Sequence, residues 1–99
     1  MNQTPDDRQR SLDLLNQTHS FPTRVMIKVI GVNENSLVAS VIEVVRLESS
    51  DDEIPPHQIR EAKGGRHISI TLEPQLTSAE CVLEIYARLQ SLDGVLMLM

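Results

Sequence analysis

The chain has 99 residues, 40% apolar and 23% charged, with a formal net charge of -5 and a pI near 5.0. That length supports one domain with a modest core, and that composition is too apolar for wholesale disorder. The acidic balance opposes nucleic-acid binding, which needs a basic surface, and with only Phe21 and Tyr86 aromatic there is no platform for base stacking.

Residues 1–20 are polar, with Asp6, Asp7, Arg8 and Arg10 ahead of Leu12, Leu14 and Leu15. They read as a flexible N-terminal tail carrying at most one short helical turn, ahead of a domain over residues 21–99. The segment Met1 to Ser20 lacks a basic region followed by an apolar one, and no stretch approaches the roughly 20 apolar residues of a membrane span. No membrane association is expected. A lone Cys81 cannot form an intramolecular disulfide, which fits a cytoplasmic setting.

From Thr23 the pattern becomes alternation: Val25, Ile27 and Val29 on one side, Arg24, Met26, Lys28 and Ile30 on the other, closed by Gly31. This predicts a half-buried strand. Asn33 or Asn35 can cap the helix that follows, and Leu37, Val38, Val41, Ile42 and Val45 recur at helical spacing from about Ser36 to Leu47. The β-branched content of that segment favours a strand by propensity, but alternation is missing.

Glu48 to Glu53 reads as an acidic loop, stopped by Ile54 and the pair Pro55-Pro56. Asp51, Asp52 and Glu53 resemble half of a calcium loop without its glycine and terminal glutamate, so a solvated loop is expected. His57 to Lys63 predicts a polar edge strand with Ile59 as its anchor, and Gly64-Gly65 a hairpin. Ile68, Ile70 and Leu72 alternate with His67, Ser69 and Thr71, which predicts a central strand. After Pro74, Thr77-Ser78-Ala79-Glu80 has the form of a capping box, with Thr77 as the cap. The helix it opens would bury Ala79, Val82, Leu83, Tyr86 and Leu89 and stop at Gly94. Val95 to Met99 suits a final strand.

The order is βαββαβ, an α+β ferredoxin-like arrangement: a four-stranded antiparallel sheet, order 4-1-3-2, with two helices on one face. The residues Phe21-Pro22, Lys28-Val29-Ile30-Gly31, Val41 to Val45, Lys63-Gly64 with His67 to Thr71, and Val82 to Leu89 with Tyr86 resemble, in this order, the YbeD-like family of small uncharacterised bacterial proteins. Leu12 to Leu15 resembles that family's leucine-bearing lead-in. The resemblance implies a ferredoxin-like fold of ACT-like shape and a link to lipoate metabolism. It carries over no catalytic residue.

A metal carrier of this fold needs paired cysteines between the first strand and helix, and an acylphosphatase needs an arginine there. Gly31 to Ser36 supplies neither. His19, His57 and His67 match no ligand template, and Cys81 has no neighbouring cation in the pattern to activate it. No cofactor is expected. If Val95, Met97 and Met99 face the helices, Leu96 and Leu98 project from the open sheet face beside Met26 and Ile30. Those four residues are the candidate association face, and Gly31, Asn33 and Asn35 the candidate ligand loop.

The function expected is a non-enzymatic regulatory or protein-binding module of ACT-like type. Its partner would be another protein or a second copy, a homodimer, with a small-molecule ligand at the loop. The alternative is a small enzyme, or an enzyme subunit, whose site a partner completes.

Overall fold

Two alternating segments form the centre of the molecule. In the computed structural model, which describes residues 5–51 and 53–99, the element order is α1 (Pro5–Thr18), β1 (Thr23–Arg24), β2 (Ile27–Val32), α2 (Asn35–Glu48), β3 (His57–Glu61), β4 (His67–Leu72), β5 (Gln75–Leu76), α3 (Ala79–Gln90) and β6 (Val95–Leu98). The four longer strands form one antiparallel sheet in the order β3-β4-β2-β6. With the short β1 and β5 set aside, this is the expected 4-1-3-2 order read from the opposite edge. The fold is α+β and ferredoxin-like.

The core forms where the alternating faces of β2 and β4 meet two amphipathic helices. Ile27, Val29, Ile70 and Leu72 on the sheet, Val41 and Val45 on α2, and Val82, Ile85 and Leu89 on α3 are fully buried. Each such side chain stabilises the fold by roughly 1.5–3 kcal/mol relative to exposure. Burial at Leu37, Val41 and Val45 follows the i, i+4, i+8 spacing, so helical packing overrides the β propensity of this segment. Among the described residues no helix is long and apolar enough to cross a membrane.

The structure corrects the sequence reading in several places. The segment read as a tail with one helical turn contains the 14-residue helix α1, packed on α3. Pro5 stands at the first helical position and Asp6 and Asp7 in the first turn, both favourable there. No residue of α1 is fully buried, but Leu15 packs against the core. The weakness of that apolar stripe hid the helix, because its stability comes from α3. Residues 1–4 of the tail, and Asp52 of the acidic run, lie outside the described residues.

The single strand expected from Thr23 is split between β1 and β2, and β1 pairs with β5 through Thr23–Leu76 and Arg24–Gln75. Two-residue strands leave no periodic signal. Ile59, expected as an anchor, is 47% exposed: it pairs with Ile70 and so faces the helices, but at an edge they do not cover. Helix α2 is capped by Glu34 with no side-chain bond, so neither asparagine caps it. Helix α3 is capped by Ser78, whose Oγ accepts from the Cys81 N–H at 3.4 Å, one position later than the expected Thr77. Its buried face is centred on Ile85, whereas Leu83 and Tyr86 are half-buried beside α1.

Candidate functional site

One face of the four-stranded sheet carries no helix, and its composition follows from the strand register. Alternation sends Lys28, Ile30 and Val32 of β2 to that face. Paired with them are Thr71, Ser69 and His67 of β4, and beyond those Gln58 and Arg60 of β3. On the other side Met97 pairs with Ile30, and Met99 exchanges both backbone hydrogen bonds with Lys28 at 3.0 and 2.8 Å. The face thus has an apolar part along β6 and Ile30 of β2, and a polar part with two cations, Lys28 of β2 and Arg60 of β3, on either side of β4.

The expected association face is partly reassigned. Met26 is 62% exposed, between buried Val25 and Ile27, and Ile30 lies on the open face. Leu96 is exposed as well. Leu98 does not belong there: it pairs with buried Val29 and packs against the core, as Val95 does. Met97 and Met99 take the open positions instead, at 54% and 53% exposure.

The cause is a register shift between Ile30 and Gly31, where Val95 and Met97 oppose consecutive residues of β2. The extra residue, Leu96, leaves Val95 facing the core and reverses the facing of everything after it in β6. Glycines at 31 and 94 were the available signal, since glycine within or beside a strand marks such irregularities.

At the candidate ligand loop, Gly31 approaches the chain's own backbone. Its N–H and C=O lie in β2, and a Cβ there would stand 2.6 Å from Leu37 Cδ2 and 2.7 Å from Gly94 O. Asn33 ties the loop to the β3–β4 hairpin: its Nδ2 donates to Gly65 O at 2.8 Å and Glu61 Oε1 at 3.1 Å, and its backbone N–H to Arg66 O at 3.0 Å. Asn35 is exposed in the first turn of α2. The three residues are neighbours, but two are engaged in holding the fold.

His57 and His67 fall on opposite faces, because His57 pairs with buried Leu72 and His67 with Val32 of the open face. Among the described residues no three His, Cys, Asp or Glu side chains gather into a metal-binding group. Cys81 is half-buried, with its Sγ 3.4 Å from Ser78 Oγ. The Tyr86 hydroxyl donates to Met99 O at 3.4 Å, and burial raises its pKa above the usual phenol value.

The two edges of the sheet differ. β3 reads His-Gln-Ile-Arg-Glu and is exposed throughout, a charged edge that resists pairing. β6 reads Val-Leu-Met-Leu. Because Met99 spends its N–H and C=O on Lys28, the backbone groups of Leu98 point away from β2, toward the free edge.

Residues 16–99 match the family described as "Protein of unknown function (DUF493)". The chain is 32% identical over 69 residues to a UPF0250 protein of Chromobacterium violaceum, a match covering 70% of this chain and 78% of the relative. A UPF0250 protein of Shewanella frigidimarina is 28% identical over 79 residues, covering 80% and 88% of the two chains. A third, from Shewanella halifaxensis, is 27% identical over 75 residues, covering 76% and 83%. The chain belongs to this DUF493 family of small bacterial proteins, in accord with the YbeD-like resemblance.

Proposed function

We propose that this member of the DUF493 family is a non-enzymatic regulatory module that pairs with a second copy of itself along β6. The contrast between the two edges of its sheet supports the reading. β3 is protected by charge, whereas β6 presents unpaired backbone groups and no charged side chain between Val95 and Met99. Antiparallel pairing of two β6 strands would satisfy those groups, join two four-stranded sheets, and shield Leu96 and Met97.

Self-pairing of this kind fits the ACT-like shape that the resemblance implies. The lone Cys81 supports a reducing, cytoplasmic setting. The link to lipoate metabolism is checked by melting the protein with lipoyl and octanoyl compounds, since a ligand bound only by the native state raises Tm.

Sedimentation across micromolar to millimolar concentration tests the pairing. The expected result is a concentration-dependent dimer that Leu96→Lys converts to a monomer of unchanged fold. A strict monomer over that range, or a dimer indifferent to Leu96→Lys, overturns it.

A further inference from the structure

The polar part of the open face has a chemistry of its own, independent of the β6 edge. A shallow depression of about 240 Å³ is lined there by Lys28, Ile30, Arg60, His67 and Ser69 and by one carboxylate, Glu61. That is room for a small molecule and several waters, each water taking about 30 Å³ in the liquid.

The register explains why these groups converge. Arg60 is directly opposite Ser69, and Ile30 is opposite Ser69 on the other side. Lys28, paired with Thr71, is diagonal to Ser69, a separation of about 7–8 Å that a lysine stem spans. His67 precedes Ser69 by two positions on the same face.

Charge is segregated across the molecule. The chain has 14 Asp and Glu residues, yet none occupies an open-face position of the four strands. Of the nearest carboxylates, Glu61 pairs with buried Ile68 and accepts from Asn33, and Glu73 lies beyond the end of β4. Among the described residues Lys28 and Arg60 form no ion pair. At physiological salt charges further off are screened over about 8 Å, so the potential in the depression is set by two cations, Lys28 and Arg60, against the one carboxylate of Glu61, which Asn33 Nδ2 engages.

We infer that this depression is a binding site for a small oxyanion, a phosphate or carboxylate group. The guanidinium of Arg60 offers the forked donor pair suited to either, Lys28 supplies a point charge, and the Ser69 hydroxyl donates from the floor. Ile30 forms an apolar wall that continues toward Met97, so an apolar body attached to the anion has a surface to rest on.

The test is an amide chemical-shift titration of the full chain with inorganic phosphate and, separately, with citrate, each at ionic strength held constant with sodium chloride. The expected result is saturable shifts confined to residues around Lys28, Arg60 and Ser69 for at least one of the two anions, which tells phosphate from carboxylate. Lys28→Gln and Arg60→Gln are each expected to weaken binding about tenfold or more, the usual effect of losing a charge-assisted hydrogen bond. Arg46→Gln on α2 leaves it unchanged. Both substitutions in the site are at solvent-facing positions, and an unchanged melting temperature confirms that the fold is kept. Non-saturable shifts with both anions, or equal binding by the Lys28→Gln, Arg60→Gln double variant, overturn the site. Either outcome leaves the pairing along β6 to be judged separately by sedimentation.

Discussion

Gly31 and Gly94 meet across the β2–β6 irregularity so closely that a Cβ built on Gly31 would stand 2.7 Å from the Gly94 carbonyl oxygen. That oxygen already accepts from the Val32 N–H at 2.9 Å, so it has no freedom to retreat without breaking the ladder. The pair holds β6 in the register that decides which of its side chains reach the core.

Gly31→Ala is therefore expected to destabilise the protein by about 1–3 kcal/mol, the usual cost of forcing an extra carbon into packed surroundings. Gly94→Ala combines a similar contact, 2.7 Å from Val32 Cγ2, with a positive φ of 93°, and is expected to cost at least about 1 kcal/mol. Urea unfolding measures both. Wild-type stability in Gly31→Ala would mean that the close approach is not real.

The register itself is checked by a pair of neighbours. Leu98 packs against the core and Met97 faces solvent. Leu98→Ala is expected to lower stability by about 1–2 kcal/mol, less than for a fully buried leucine. Met97→Ala should stay within about 0.5 kcal/mol. These values refer to unfolding at a concentration where the protein is monomeric. The opposite ranking would place the irregularity elsewhere and return Leu98 to the open face.

Tyr86 provides a pH-dependent signature. Burial raises its folded-state pKa above the ordinary value of 10.0, while the unfolded chain ionises near that value. The neutral phenol thus contributes stability that is fully present below pH 10 and is lost as pH rises through the folded pKa. Unfolding curves from pH 8 to 11 should show this decline in the wild type and a shallower one in Tyr86→Phe. An identical slope in both would assign the decline to other groups.

Much of this architecture is legible in the sequence, because local periodicity and burial agree over the long elements. The alternation of Ile68, Ile70 and Leu72 and the helical spacing of Leu37, Val41 and Val45 each point to one structure, and both faces were assigned correctly. The polar edge at His57 to Glu61 follows from composition in the same way. Where the local signal is weak, contacts distant in sequence decide. Helix α1 has no fully buried residue and depends on α3, while β1 and β5 are too short to have a period and exist only as each other's partners.

The candidate surface divides along the same line. Lys28, Ile30, Arg60, His67 and Ser69 were separate residues on three predicted strands, and only the register shows that they border one depression. Strand Val95 to Leu98 was evident from its apolar run, but its facing was not. An alternating strand with no polar residue carries no mark of which side is which. The periodicity and order of the elements determined that this chain has a ferredoxin-like core and an apolar final strand. The contact between Gly31 and Gly94, 63 positions apart by their numbering, decided that Leu98 turns inward while Met97 and Met99 face out, because backbone packing across two strands is set by their shared geometry and not by either strand alone.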